Sequence, residues 1–264
     1  MYVKVKYEFP DSNEYEFKWA GRYGAPGERR AKREKATPEQ IQKQNQKLRE
    51  TKMRRLIKAN FTRDDFWMTL KYKKGERPPI SQVRKDVKDL LNQMRKVYKA
   101  RGEQFKFIYR MEVGSRGGVH VHILMNRIGG EPATDLLVSR AWKSGAVNYE
   151  HLHGGDYQRL ADYIVKPPSP EAQKHIDAMP EEERKEFIKY SSSRNLVRPV
   201  PKEKKYKRSV RKLVTEGPKP SKGFYIDKES IVTGVNPFTG QSYMYYTEIK
   251  IPPGGAPPGR SKGD

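Results

Sequence analysis

The sequence predicts an α+β protein built on a small antiparallel sheet in split βαβ order, with basic helical and irregular extensions. Three observations carry that expectation. Between about residues 61 and 170, apolar periodicity switches between two and 3.6 residues in the order β-α-β-β-α-β, then a final helix. A glycine-rich loop, GSRGG, separates two apolar runs as a hairpin would. The flanks are polar and basic where this middle region is not.

The first 37 residues read as polar and irregular, with a basic cluster at GERRAKREK. A helix starts at TPEQ, with Thr37 as N-cap, Pro38 in the first position and Gln40 at the capping-box position. It runs to about Lys58 with few large apolar residues, as a solvated helix or one lying along a phosphate backbone. DFWMTLKY (65–72) reads as a strand, and SQVRKDVKDLLNQMRKVYKA as an amphipathic helix with Val83, Val87, Leu90, Leu91, Met94 and Tyr98 on one stripe. FKFIYRMEV and VHVHILMN are the hairpin strands, ATDLLVSRAW a short helix and AVNYEHLH a fourth strand. DYQRLADYIVK is a helix stopped by Pro167 and Pro168. This is the ferredoxin-like arrangement, with helices on one face of the sheet and the other face free.

The predicted organisation is a basic arm and helix over 1–60, the core domain over 61–170, a basic helical region over 171–215, a small β-hairpin over 216–252 and a disordered tail over 253–264. Charged residues make up 33% of the chain against 34% hydrophobic, so packing is expected to concentrate in the core domain. The net charge of +23 calls for a polyanionic partner, because each cation seated on a phosphate releases condensed counterions. There is no cysteine, which excludes disulfides and thiolate zinc sites. No run approaches the ~20 apolar residues of a membrane span, and the start lacks a signal-peptide core, so no membrane and a cytoplasmic location are expected.

Alternation along GGVHVHILMN puts His120 and His122 on one face of their strand and Val119, Val121 and Ile123 on the other. If the loop is Gly114–Gly118, Val113 pairs with Val119 and Glu112 stands opposite His120, with Cβ atoms about 4.5–5.5 Å apart. A slip of one residue would undo this. Glu112, His120 and His122 then offer one oxygen and two nitrogen ligands to a borderline-to-hard divalent ion. Zinc proteins use such sets too, although the HExxH helix is missing. His151 and His153 repeat the spacing without a clearly placed carboxylate and read as structural or DNA-contacting.

With Asp156 as N-cap, the last core helix clusters Tyr157, Leu160, Ala161 and Ile164 on a core stripe, and Arg159, Tyr163 and Lys166 on nearly the opposite side. Tyr163 is therefore the candidate nucleophile and Lys166 its activator, since a neighbouring ammonium favours a phenolate. Arg159, Arg116, Lys71 and Arg110 are the candidate DNA-binding cations.

At these residues the sequence resembles the HUH endonucleases, and among them the Rep-type initiators of rolling-circle replication. His120-Val121-His122 matches the His-hydrophobic-His pair, Tyr163-Ile164-Val165-Lys166 the downstream Tyr-x-x-Lys, FWMTLKY the upstream Thr-Leu strand, and Glu112 the acidic ligand. The resemblance spans about 61–168 and implies nicking and joining of single-stranded DNA at an origin. In it Tyr163 attacks a phosphodiester while Mg²⁺ or Mn²⁺ on Glu112, His120 and His122 polarises the phosphate, and Lys166 stabilises phenolate or phosphate. The products would be a 3′-hydroxyl and a 5′-phosphotyrosine. Tyr157 and Tyr163 lie about 240° apart around the helix, which predicts a single-tyrosine enzyme. There is no GxxxxGK[ST] loop, so helicase and polymerase are expected in trans, in a bacterial cell. The alternatives are an HUH transposase or relaxase, or a non-catalytic DNA-binding protein on the same fold.

Overall fold

The computed structural model describes residues 2–20, 37–152, 157–187, 189–206, 210–236 and 240–252. In chain order its elements are β1 (Tyr2–Glu8), β2 (Ser12–Trp19), α1 (Pro38–Asn60), β3 (Phe66–Lys71), α2 (Ile80–Ala100), β4 (Phe107–Val113), β5 (Val119–Met125), α3 (Thr134–Ala141), β6 (Val147–His151) and α4 (Gln158–Val165), followed by α5 (Pro170–Asp177), α6 (Glu181–Glu186), β7 (Tyr190–Ser192), β8 (Lys202–Tyr206), α7 (Val210–Glu216), β9 (Phe224–Val235) and β10 (Ser242–Lys250). They form two units, one over 38–198 and the other over 1–37 with 199–264.

The 38–198 unit holds an antiparallel sheet in the order β6-β3-β5-β4-β7. Counting β3, β4, β5 and β6 as the core strands, the order is fourth-first-third-second, the split βαβ arrangement expected. Strand alternation sends Met68, Leu70, Tyr109, Met111, Val121 and Ile123 to one face, where they pack with Val83, Val87, Leu90 and Met94 of α2. The Tyr98 phenol at the end of α2 donates to the Asn126 carbonyl just past β5, tying helix to sheet. Asp65 does the same for β3, accepting from the backbone N–H of Thr62 at 2.8 Å and of Arg127 at 2.7 Å.

The other face is not free, contrary to the expectation from sequence. Trp67, Ile108 and Leu124 point there and are buried under Met53 and Ile57 of α1 and Ala161, Ile164 and Val165 of α4. Apolar side chains on the second face need a cover, and cutting one such as Leu124 to alanine would cost about 2–5 kcal/mol. The C-terminal half of α1 is therefore neither solvated nor open to phosphate; its N-terminal turns, from Pro38 to Asn45, are exposed. The cover stops short of His120, which stays partly exposed.

The second unit is a five-stranded antiparallel sheet, β8-β1-β2-β10-β9, with Tyr15, Phe17, Met244 and Tyr246 packed around Val210 of α7. It corrects three expectations. The first 37 residues are not irregular throughout, since β1 and β2 form a hairpin whose Val5 and Phe17 are buried. The hairpin expected over 216–252 exists as β9 and β10, but as two strands of this larger sheet. The region 171–215 is not simply helical, since β7 extends the first sheet beside β4 and β8 edges the second. The cluster at 27–35, His153, Asp156 and the tail from 253 onward lie outside the described residues. Among the described residues no helix is long and apolar enough to cross a membrane.

Candidate active site

The β4–β5 register places the site. Val113 pairs with Val119, Glu112 with His120 and Arg110 with His122. The Gly114–Gly118 turn is closed by the Gly114 N–H donating to the Gly118 carbonyl at 2.8 Å and the Gly117 N–H to the Gly114 carbonyl at 2.9 Å. Gly117 has φ +78°, a left-handed conformation that glycine takes without steric penalty. On the other side of β5, β3 sets Thr69 opposite His122, Lys71 opposite His120 and Trp67 opposite Leu124. Three strands thus turn two imidazoles, a carboxylate, a hydroxyl and an indole to one face.

Glu112 is the hub. Its Oε2 accepts from His122 Nε2 at 3.0 Å and from the Tyr163 hydroxyl, and its Oε1 lies 2.8 Å from Lys166 Nζ. Burial opposes ionisation of Glu112, but bonds from His122, Lys166 and Tyr163 outweigh it and hold the carboxyl well below the usual carboxylate range. Burial, then His122 and Lys71, lowers His120 from the ordinary imidazole value, which keeps it neutral near pH 7. The His122 ring, 8% exposed, lies parallel to the Trp67 indole with centroids 5.5 Å apart, a pairing worth roughly 0.5–1.5 kcal/mol beyond its burial. Its Nδ1 is 3.1 Å from Thr69 Oγ1. A hydroxyl both donates and accepts, so Thr69 satisfies either tautomer, including the one that leaves the Nε2 lone pair available.

That donor chemistry fits a divalent cation: oxygen and imidazole ligands, with a hydrogen-bonding partner behind one ring to fix its orientation. The positions are less complete. Glu112 and His122 converge, while His120 faces Glu112 in register with its ring close to Gly114, where an added Cβ would sit 3.3 Å from His120 Cε1. Among the described residues no group of three His, Cys, Asp or Glu side chains is assembled to hold a metal.

The α4 helix brings Tyr163 to this hub, but not by the face the helical wheel suggested. Tyr163 does not point outward between cations. It is half-buried against the sheet, edge-on to both Trp67 at 5.9 Å and His122 at 5.1 Å. Its hydroxyl lies 2.9 Å from His122 Nε2. Nor does Lys166 sit on the phenol oxygen. Its ammonium pairs with Glu112 and lies over the tyrosine ring at 3.9 Å from the centroid. Burial and the Glu112 carboxylate, which accepts the phenolic hydrogen, raise the Tyr163 pKa above its ordinary value, opposite to the activation expected from Lys166 alone. Tyr157, expected in the core, is partly exposed at the N-cap of α4 with φ 58°.

The four cations assigned to DNA divide. Arg159 and Arg116 are exposed, and Arg116 and Lys71 line a groove of about 520 Å³ with Lys73, Lys74, Arg77 and His120. Arg110 is not available to DNA. It is 4% exposed and its NH1 donates to carbonyls of α4. His151 packs on Phe66 at 5.1 Å, and Phe66 belongs to the α2 face, which fits a structural role. Trp67, Thr69 and Gln46 are site residues that reasoning from the sequence missed. The first two had a signal, since they share the parity of Lys71 on a strand that must neighbour the histidines.

Residues 65–168, under half of the chain, match a family model for replication-associated proteins of the ORF2 type. The matched stretch contains Glu112, His120, His122, Tyr163 and Lys166. No curated protein and no solved structure matches.

Proposed function

We propose that this chain initiates rolling-circle replication of a mobile element by nicking single-stranded DNA at an origin through Tyr163. The observation that carries the reading is the Tyr163 hydroxyl resting on Glu112 and His122 within a stretch similar to replication-associated proteins.

In this reading the Tyr163 oxygen attacks the phosphorus of one phosphodiester, and the phenolic proton leaves along its existing hydrogen bond toward Glu112 and His122. The P–O3′ bond breaks, the 3′ oxygen departs as a hydroxyl, and the 5′ phosphate stays on Tyr163. The link conserves the phosphodiester energy, so a 3′-hydroxyl returning to the site can reseal the strand without ATP. Glu112, His120 and His122 would hold Mg²⁺ or Mn²⁺, which when bound supplies charge neutralisation at the non-bridging oxygens. Lys166 would shift between Glu112 and the phosphate as charge develops. The Lys71–Arg116 groove, rich in lysine and arginine, would carry the flanking backbone, and Arg159 the strand near α4. The 3′-hydroxyl would prime a polymerase supplied, like the helicase, by other chains.

The test is incubation with Mn²⁺ and single-stranded origin DNA from the element that encodes the chain. A covalent adduct mapping to the Tyr163 peptide, with a free 3′-hydroxyl on the other fragment, is the expected outcome. Adducts elsewhere, or none across all candidate origin strands of that element, would refute the reading.

A further inference from the structure

The end of α4 has a difficulty written into the sequence. The last carbonyls of a helix need donors from beyond it, and the chain ordinarily supplies them from the N–H groups of the following residues. Here two of the next three residues are Pro167 and Pro168, which have none. Side chains from two other elements supply the donors instead. Arg110 NH1, from β4, donates to the carbonyls of Tyr163 at 3.1 Å, Ile164 at 2.7 Å and Lys166 at 2.8 Å. Gln46 Nε2, from α1, donates to the Val165 carbonyl at 3.1 Å. Every carbonyl from 163 to 166 is thereby held.

Resting on the nicking reading above, we propose that Arg110, assisted by Gln46, is a positioning residue that fixes the Tyr163–Lys166 turn against the metal-ligand strand. Arg110 stands two residues from Glu112 on the same face of β4, opposite His122. One strand therefore carries both the carboxylate hub and the clamp on the turn that bears the nucleophile, so the distance between them is set by a single pleat. Stability alone is a poor reason for the charge. The guanidinium is 4% exposed, its Nε is buried with no hydrogen-bond partner among the described residues, and the partners of its NH1 are carbonyls rather than a carboxylate. An apolar side chain of similar length could fill that space without desolvating a charge. What such a side chain could not do is hold three carbonyls at once, and an attacking atom misplaced by about 1 Å can lose roughly 100-fold in rate.

The experiment is single-turnover cleavage by Arg110→Met, Arg110→Lys and Gln46→Leu, with DNA affinity measured in a Tyr163→Phe background and melting temperatures taken in parallel. The expected result is a fall of roughly 100-fold in the saturated cleavage rate for Arg110→Met. DNA affinity should stay within about two-fold, and Arg110→Lys should recover part of the rate because an ammonium still donates. Gln46→Leu should show a smaller fall of the same kind, and it carries the test should Arg110→Met not fold. Wild-type rates in both folded variants, or rate losses that track lost affinity or melting temperature, would overturn the proposal. A wild-type protein that never cleaves would defeat the nicking reading separately. The clamp would then be read by hydrogen exchange over 163–166, which Arg110→Met should accelerate; unchanged exchange would overturn the clamp too.

Discussion

The hydroxyl of Tyr163 lies 2.9 Å from Nε2 of His122, so the candidate nucleophile and a candidate metal ligand share one hydrogen-bonding point. Glu112 joins them through Oε2, accepting from both. This geometry selects Tyr163 over Tyr157. Tyr163→Phe should abolish the covalent DNA adduct while leaving DNA binding intact, and Tyr157→Phe should leave the adduct in place. Denaturing gels with end-labelled oligonucleotides check both. Loss of the adduct in Tyr157→Phe alone would contradict the geometry.

The shared point also links the phenol to metal binding. Because the Tyr163 hydroxyl engages the atoms of Glu112 and His122 that would ligate the ion, removing it frees them. A hydrogen bond is worth about 0.5–1.5 kcal/mol net, so Tyr163→Phe should bind Mn²⁺ roughly two- to ten-fold tighter than wild type. His122→Ala should lose most of the affinity. Titration calorimetry without DNA reads both, and equal Mn²⁺ affinity in wild type and His122→Ala would remove His122 from the ligand set.

Acid should loosen the metal-free site. Although burial works against it, the Glu112 carboxyl is held below the usual range by His122, Lys166 and Tyr163. A group whose folded pKa is depressed contributes stability that is fully present above its unfolded value, about 4.3 for a glutamate, and is lost as pH falls toward the folded value. Melting temperature measured from pH 7 down to pH 3 should therefore fall more steeply in wild type than in Glu112→Gln, with the difference opening below about pH 4.3. Parallel curves would mean that the carboxylate is not stabilised by its partners.

Much of this site was legible because it rests on counting. A five-residue turn between two alternating strands leaves one register in which Glu112 meets His120, and β4–β5 adopts it. The side of α4 that faces the sheet was not legible by the same means. A helical wheel finds one buried stripe, but α4 lies between the sheet and α1, so Ala161, Ile164 and Val165 are buried while Tyr163 also packs inward. The β1–β2 hairpin was hidden for a different reason. Lysines and glutamates interleave its apolar positions, and β2 finds its neighbour β10 more than two hundred residues away, as in the pairing of Asn13 with Glu248. Arg110 looked like a surface cation in a strand; only the two prolines after α4 hinted that a donor was needed there.

The groove beside His120 makes a quantitative claim about salt. Lys71, Lys73, Lys74, Arg77 and Arg116 line it with a single carboxylate, Glu76. The loop that presents them is held in place: the Lys71 N–H donates to the Ala146 carbonyl at 2.9 Å, the Lys73 N–H to the Ser144 carbonyl at 3.2 Å, and the Trp142 indole N–H to the Lys71 carbonyl at 3.1 Å. A phosphate contact to single-stranded DNA contributes a slope of about −0.7 to log K against log salt, because its condensed counterion is released. Replacing Lys73, Lys74 and Arg77 together with glutamine should shallow that slope by about 2 if each holds one phosphate, and weaken binding to all sequences alike. Lys96 and Lys99, on the exposed side of α2, serve as the control, and their replacement should leave the slope close to wild type. Fluorescence anisotropy over a range of salt concentrations measures it, in the Tyr163→Phe background so that cleavage does not intrude. A slope unchanged by the groove variant, or changed equally by the α2 control, would mean that the strand does not run past His120.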